Sequence, residues 1–121
     1  MQFIPQQTAE SLFEQVEETL ENAALKPAER IPKYRTIFEC LFKELTADIK
    51  QHLGGLHART AFVFGEYGTP QSLQIEADGL RKTANSVLHD KAKKDPSVSD
   101  DLNCLSALCQ SIAYFGKTVL P

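Results

Sequence analysis

The chain has 121 residues, of which 42% are hydrophobic and 24% are charged. This length and apolar content suffice for one hydrophobic core, so we expect a single domain over residues 1–121. The formal net charge of -3 argues against a protein whose whole surface grips nucleic acid. No apolar run approaches the roughly 20 residues that cross a bilayer, so no membrane partner is expected.

The N-terminus of the chain indicates its location in the cell, and the C-terminus indicates whether it is part of a longer polypeptide. The first ten residues, MQFIPQQTAE, lack the basic start and the apolar centre of a signal peptide, which predicts a cytoplasmic location. The chain stops at Val119-Leu120-Pro121 without a polar tail. We therefore interpret it as the N-terminal piece of a larger polypeptide.

Two amphipathic helices are predicted in the first half of the chain. The first covers residues 8–25, with Thr8 as its cap and an apolar stripe that includes Leu12, Val16 and Leu20. The second covers residues 32–53, because Pro27 and Pro32 both suit the first turn of a helix and Gly54-Gly55 suits its end. Its stripe comprises Tyr34, Ile37, Phe38, Leu41, Leu45, Ile49 and Leu53.

Residues 54–71 show the least regular pattern. The run Ala61 to Phe64 fits a short strand, an extra helical turn or an apolar loop, and Gly65, Gly68 and Pro70 interrupt any regular continuation. We favour an ordered loop that covers the bundle. Its aromatic residues are expected to seal a core or a dimer interface rather than to stack on bases; they are Phe62, Phe64 and Tyr67.

Two further helices complete the predicted fold. The third covers residues 72–89, starts at a Ser72 cap and turns Leu73, Ala77, Leu80, Ala84 and Leu88 inward. The fourth starts at a Ser99 cap and ends near Lys117; its stripe comprises Leu102, Leu105, Leu108, Cys109, Ile112, Phe115 and Val119. The fold class is therefore all-α: a four-helix bundle, with a five-helix bundle as the alternative, and one ordered apolar loop.

Residue types that bind metals do not occur at ligand spacing. Cys40, Cys104 and Cys109 are odd in number and form no Cys-x-x-Cys pair, so we expect buried free thiols. His52 and His57 are separated by a helix break, with no carboxylate or cysteine pair at ligand spacing. Neither a metal site nor a cofactor is predicted.

The third helix carries a polar stripe. Steps of four residues advance a helix by about 40° beyond a full turn, so Arg81, Asn85 and His89 lie along one slowly turning ridge. The ridge runs beside the core face. From Arg81 to Lys94 the chain has five basic residues and one acidic residue, which gives a local charge of +4. Nucleic acid is a candidate partner for its lysines, which are Lys82, Lys91, Lys93 and Lys94.

Residues 80–90, LRKTANSVLHD, resemble the motif helix of HEPN-like domains, particularly those appended to bacterial helicases, restriction subunits and defence proteins. The resemblance implies a bundle of four or five helices that is often dimeric. Active members are metal-independent RNases, and many others are non-catalytic assembly modules. A neighbouring helicase or nuclease domain is therefore a candidate partner, together with a second copy of the chain.

This chain departs from the RNase form of the motif, Arg-Asn-x-x-x-His. Asn85 and His89 match it, but Ala84 occupies the arginine position and Arg81 lies one turn earlier. Cleavage of RNA without a metal needs a proton acceptor, a proton donor and a cation on the phosphorane. Arg81 would have to reach one turn further along the helix to supply that cation.

Four interpretations of the chain follow. The leading one is a non-catalytic HEPN-like accessory or dimerisation module in a nucleic-acid-processing or defence protein. A second is a dimeric RNase in which His89, Asn85 and Arg81 are catalytic. A third is an adaptor bundle that binds a partner protein through its apolar loop. A structural role is the fourth: Asn85 and His89 bond to the turn after the helix, and Arg81 pairs with an acid on helix one or two.

Overall fold

A computed structural model describes residues 3–49, 52–89 and 95–116 of the chain. These residues form five helices: α1 (Gln6–Glu21), α2 (Pro27–Leu45), α3 (Leu56–Tyr67), α4 (Gln71–His89) and α5 (Val98–Phe115). No strand occurs in the described ranges. The all-α class is therefore confirmed, and the bundle has the fifth helix that the sequence offered only as the alternative.

α2 forms the centre of the bundle and packs against each of the other four helices. Its buried face consists of Ile31, Tyr34, Ile37, Phe38, Leu41, Phe42 and Leu45. The helix starts at Pro27, earlier than predicted, because the Glu29 carboxylate accepts a hydrogen bond from the Lys26 amide at 3.2 Å. Pro27 thus takes the first turn and Pro32 lies inside the helix.

α2 ends at Leu45, so the predicted continuation to residue 53 is wrong. The Thr46 hydroxyl donates a hydrogen bond to the Phe42 carbonyl at 2.7 Å, and the Thr46 amide bonds to the same carbonyl at 3.2 Å. These bonds satisfy the end of the helix without another turn. Ile49 and Leu53 keep helical spacing but are only half-buried in the connection to α3.

α3 replaces the loop that was predicted over residues 54–71. Its core-facing positions, Leu56, Thr60, Val63, Phe64 and Tyr67, have the spacing of one helical face. Gly65 is accommodated because it lies on the exposed side, and Gly68 ends the helix in the left-handed conformation, with φ of 58°. Both glycines were predicted to interrupt regular structure, but only Gly68 does so.

α1 starts at Gln6, directly after Pro5, so the expected Thr8 cap is wrong. The helix ends at Glu21 rather than 25, since the Asn22 side chain accepts the Ala24 amide at 3.2 Å and forms a turn. α1 approaches the end of α5 closely: a Cβ at Gly116 would lie 2.7 Å from the Ala9 Cβ. Glycine is therefore required at position 116 for this packing.

α4 and α5 begin at residues other than the predicted caps. α4 starts after Pro70, whose carbonyl accepts the Leu73 and Gln74 amides, so Ser72 lies inside the helix. α5 is capped by Ser97, whose hydroxyl accepts the Asp100 amide at 3.1 Å while the Asp100 carboxylate accepts the Ser97 amide at 2.9 Å. Ser99 is the second residue of α5.

Three leucines that the periodicity placed in the core are exposed. They are Leu20 (37% exposed), Leu88 (42%) and Leu102 (58%). Leu88 and Leu20 lie in the last turns of α4 and α1. The predicted end of α5 at Lys117, and Val119, lie outside the described residues.

Aromatic rings join three helices at one end of the core. Phe42 on α2 makes edge-to-face contacts with Phe64 on α3 and with Phe115 on α5, both at 5.7 Å between ring centroids. Tyr67 packs on Phe115 at 5.2 Å. Phe64 and Tyr67 therefore seal the core, as the sequence predicted, from a helix and not from a loop.

A buried hydrogen bond links α2 to the first turn of α5. The Tyr34 hydroxyl donates to an Asp101 carboxylate oxygen at 2.6 Å, and Arg30 approaches the other oxygen at 3.9 Å. Tyr34 is fully buried and Asp101 is 6% exposed. Burial, and then the hydrogen bond to Asp101, raise the pKa of Tyr34 well above its ordinary value.

The three cysteines are free, and they are less uniformly buried than predicted. Cys104 is buried, while Cys40 and Cys109 are half-buried against the core. Burial, with the negative charges of Asp100 and Asp101, raises the pKa of the Cys104 thiol to about 11. The thiol is thus protonated at neutral pH, in keeping with a packing role.

We predict that Tyr34→Phe lowers the free energy of unfolding by about 1–3 kcal/mol at pH 7, because it leaves the buried Asp101 carboxylate without its donor. Denaturant unfolding measures the change. Tyr114→Phe is the matched control: Tyr114 is half-buried and contacts its neighbours through its ring, so we expect a change within about 0.5 kcal/mol.

Comparison of the wild type with Tyr34→Phe at different pH values gives a second test. Because the pKa of Tyr34 is raised in the folded state, its contribution is complete below its ordinary pKa of 10.0 and is lost as pH rises above that value. The advantage of the wild type over Tyr34→Phe should therefore shrink above pH 10. A constant difference across this range would contradict the assigned hydrogen bond.

Candidate functional site

α4 is one uninterrupted helix from Gln71 to His89, so the predicted ridge of Arg81, Asn85 and His89 exists. Exposure increases along it. The Arg81 side chain is 15% exposed, Asn85 is half-buried, and His89 is exposed at the end of the helix. The ridge starts beside the core and turns outward toward the C-terminus of α4.

The ridge lies on the side of α4 that faces away from α5. Thr83 hydrogen-bonds to the Cys104 thiol of α5, and so marks the α5 side. Arg81 is two residues from Thr83, or about 200° around the helix axis, and Leu88 lies within about 20° of Arg81. We call the side with Arg81, Asn85, Leu88 and His89 the α4 flank.

Arg81 is engaged by a carboxylate of its own helix. Its Nη2 donates to an Asp78 oxygen at 2.8 Å and its Nε donates to the same oxygen at 3.2 Å. The Lys82 ammonium lies 3.0 Å from the other Asp78 oxygen. Hydrogen bonds from Arg81, and then from Lys82, hold the pKa of Asp78 below its ordinary range. The expectation of a pair between Arg81 and helix one or two is wrong, since Asp78 is one turn away on α4.

Ala84, at the position where the RNase form of the motif has arginine, belongs to the core. Its side chain is 0% exposed, together with the neighbouring core positions Ala77 and Leu80 at 1%. A longer, charged side chain at residue 84 would have to displace packed atoms. The packing of α4 against the core therefore disfavours an arginine at position 84.

Asn85 and His89 make no hydrogen bond or ion pair with other described residues beyond the backbone of their helix. The hypothesis that they bond to the turn after α4 falls on residues 90–94, outside the described residues. Lys91, Lys93 and Lys94, the remaining candidates for nucleic-acid contacts, also lie there. Of the proposed basic residues only Lys82 is described, and Asp78 already partners it.

The opposite side of α4 offers a different environment. A cleft of about 240 Å³ between α4 and α5 is lined by Glu76, Asp100, Thr83 and Asn103, among others, and by no basic side chain among the described residues. Repulsion by its carboxylates would disfavour a phosphate backbone there. Nucleic acid, if it binds α4, does so on the flank away from α5.

Within the described ranges, no three His, Cys, Asp or Glu side chains come together in an arrangement that could hold a metal ion. No helix of the described part is long and apolar enough to cross a membrane. The α4 flank therefore presents polar side chains that can form hydrogen bonds with a partner, and the imidazole of His89 lies at its exposed end.

Two features of the site were missed from the sequence. Asp78 stands three residues before Arg81 and four before Lys82, which is the spacing of intrahelical ion pairs, so the signal was available. The junction between α2 and α3, where Arg59 donates a hydrogen bond to the Thr46 hydroxyl at 2.7 Å, had no such signal. It depends on where α2 ends.

Comparison with known proteins adds no relative. No family model, curated protein sequence or solved structure matches this chain. The resemblance of residues 80–90 to HEPN-like domains therefore stays a prediction.

We predict that Asp78→Asn lowers the free energy of unfolding at pH 7 by less than about 1 kcal/mol, because the ion pairs are partly exposed. The lowered pKa of Asp78 means that its contribution is present above its ordinary value of 3.8 and is lost as pH falls through its folded-state pKa. The difference between wild type and variant should therefore disappear in acid.

Urea unfolding at pH 7 and at pH 2.5 measures the effect. Glu76→Gln, an exposed carboxylate on the same helix with no ion pair among the described residues, is the control and should leave stability unchanged at pH 7. A difference for Asp78→Asn that persists undiminished in acid would contradict the ion-pair assignment.

Proposed function

We propose that the chain is a non-catalytic HEPN-like helical module that forms a homodimer through the α4 flank and serves a larger nucleic-acid-processing or defence protein. The observation that carries the proposal is the pair of hydrogen bonds between Arg81 and Asp78, at 2.8 and 3.2 Å. They use two of the five N–H donors of the guanidinium that a nuclease would need for the phosphorane, and they set a carboxylate against its charge.

The requirements of metal-free RNA cleavage support a non-catalytic role. His89 is exposed, but it lies two turns from Arg81. Bringing Arg81 to a phosphate near His89 would leave the Asp78 carboxylate with Lys82 alone. With Ala84 at 0% exposure, no second cation stands at the intervening turn.

The composition of the α4 flank supports its use as an interface. Leu88 is 42% exposed and is flanked on the helix by Asn85 and His89, with the Arg81–Asp78 pair about two to three turns away. An apolar centre with a polar margin is the usual anatomy of a protein interface. In a two-fold dimer the flank would pair with its own copy, which places Leu88 close to the axis.

We predict a dimer at tens of micromolar, with a mass of twice the 13.5 kDa of the chain by light scattering after gel filtration. Leu88→Glu should shift the protein to the monomer because two buried charges would face each other at the axis. The matched control is Leu102→Glu on α5, at 58% exposure, which should leave the mass unchanged.

A monomeric wild type would overturn the dimer. Dissociation by Leu102→Glu and not by Leu88→Glu would move the interface to α5 and contradict the α4 flank. Circular dichroism of each variant checks that the helices remain folded.

We also predict that the protein leaves single-stranded RNA intact at high protein concentration, both with EDTA and with Mg²⁺. Gel electrophoresis of a labelled RNA measures this. Cleavage that survives EDTA and is lost in His89→Ala would establish the RNase alternative, because only a metal-independent reaction with an imidazole proton carrier gives both results. Asp78→Asn, which frees Arg81, should not create activity if the role is non-catalytic.

A further inference from the structure

A second site lies at the junction where α2 ends and α3 begins, on helices other than α4. The cleft there has a volume of about 450 Å³. Three basic side chains line it, namely Lys43, His52 and Arg59, and no carboxylate among the described residues does. We call it the α2–α3 cleft. This group of basic side chains contrasts with the net charge of -3 of the whole chain.

Arg59 differs from the other arginines in its partner. Arg30, Arg35 and Arg81 each lie within 4.0 Å of a carboxylate: Asp101, Glu39 and Asp78 respectively. Among the described residues Arg59 has no carboxylate at that distance, and its Nη1 donates instead to the Thr46 hydroxyl at 2.7 Å. Its positive charge is therefore not neutralised by a described partner.

Thr46 fixes Arg59 in this position. The Thr46 side chain is nearly buried, at 3% exposure, and its hydroxyl donates to the Phe42 carbonyl at 2.7 Å while it accepts from Arg59. One N–H of the guanidinium is thus used for anchoring. The others remain for a ligand with oxygen acceptors, since a guanidinium carries five donors.

A purely structural role for these cations is not required by the end of α2. The Phe42, Lys43 and Glu44 carbonyls already accept hydrogen bonds from the Thr46 and Ala47 amides, at 3.2 to 3.3 Å. Lys43 suits the negative end of the helix dipole, but that interaction alone does not explain the unpaired Arg59 across the cleft. Glu44 and Asp48, the nearest acids in the sequence, do not line the cleft.

We propose that the α2–α3 cleft binds a phosphate group, with Arg59 as its directional donor and Lys43 and His52 as rim contacts. A planar guanidinium offers paired N–H donors that match two phosphate oxygens, and an ammonium adds a mobile charge. The site is independent of the α4 flank and of the proposed dimer. The ligand is free phosphate or a phosphate ester, since both present the same oxygens.

The test is a titration of ¹⁵N-labelled protein with sodium phosphate at pH 7, compared with sodium chloride at matched ionic strength. In the phosphate titration, and not in the chloride titration, we expect the backbone amide chemical shifts of Thr46, Ala47 and Arg59 to change and to saturate, with a Kd on the order of 1 mM. Shifts that are equal in chloride, or that never saturate, would overturn the proposal.

Two variants and a control locate the site. Lys43→Gln removes one exposed charge without touching the core, and it should weaken phosphate binding about three- to tenfold. Arg59→Lys keeps the charge but removes the paired N–H donors, and it should weaken phosphate binding by a similar factor. Lys33→Gln is matched to Lys43→Gln: Lys33 is exposed on the same helix, about 15 Å along its axis.

Unchanged affinity in Lys33→Gln together with weakening in Lys43→Gln supports the assignment. Equal weakening in both would show a general charge effect and would overturn the site. Because Arg59→Lys removes the bond to Thr46, its amide spectrum must first show an intact fold, and Lys43→Gln decides the matter if it does not.

Competition separates the two sources of phosphate. A short single-stranded oligonucleotide that displaces bound phosphate from Arg59 assigns the site to a phosphodiester backbone. Failure of the oligonucleotide to compete, with inorganic phosphate still bound, assigns it to free phosphate or a monoester. Either result is consistent with the cleft as a phosphate site.

Discussion

The bundle depends on the way α2 is fixed at its centre. Its buried face contacts all four other helices, and the Tyr34 hydroxyl, at 2.6 Å from Asp101, ties it to the first turn of α5. A carboxylate at 6% exposure is stable there only with good donors, so this bond restricts how α5 can lie on α2. The cap formed by Ser97 and Asp100 then determines where α5 starts. α4 takes its position from contacts with both α2 and α5.

That arrangement gives α4 two sides with different chemistry. The side with Thr83 meets α5 at Cys104, where burial, and then the charges of Asp100 and Asp101, raise the pKa of the thiol to about 11. The α4 flank is free of α5 and carries Arg81, Asn85, Leu88 and His89. Asp78 decides the chemistry of this flank, since it makes Arg81 half of an intrahelical ion pair. The proposed contact role follows from that pairing and from the exposure of Leu88.

Acidic and basic side chains lie on different surfaces of the described part of the molecule. The five glutamates of α1, at positions 10, 14, 17, 18 and 21, are all exposed, and the cleft between α4 and α5 also carries carboxylates. The α2–α3 cleft is the contrasting region, with three basic side chains on its walls. An anion approaching the described part of the protein would be repelled by the acidic surfaces and attracted to this cleft. A dimer formed through α4 uses other helices and so does not require the cleft to be covered.

Periodicity determined the helical class and the continuous α4 with its ridge of Arg81, Asn85 and His89. These features follow from the repeat of 3.6 residues per turn, which is local. The pairing of Asp78 with Arg81 was also local and could have been predicted from its spacing. The apolar residues of α3 have helical spacing, but α3 was not predicted because Gly65 and Gly68 fall within or beside it. A sequence does not show which glycine lies inside a helix and which one ends it.

Only the tertiary structure decided the rest. The end of α2 at Leu45 coincides with the bond from Thr46 to the Phe42 carbonyl, and Arg59 of the next helix donates to the same Thr46 hydroxyl in the α2–α3 cleft. The partner of Tyr34 is 67 residues away, so no local pattern reveals it. Leu88 and Leu102 continue apolar stripes yet are exposed, because burial depends on whether a neighbouring helix extends alongside them. A periodic sequence specifies which side of a helix is apolar, and the packing of the other helices specifies how much of that side is covered.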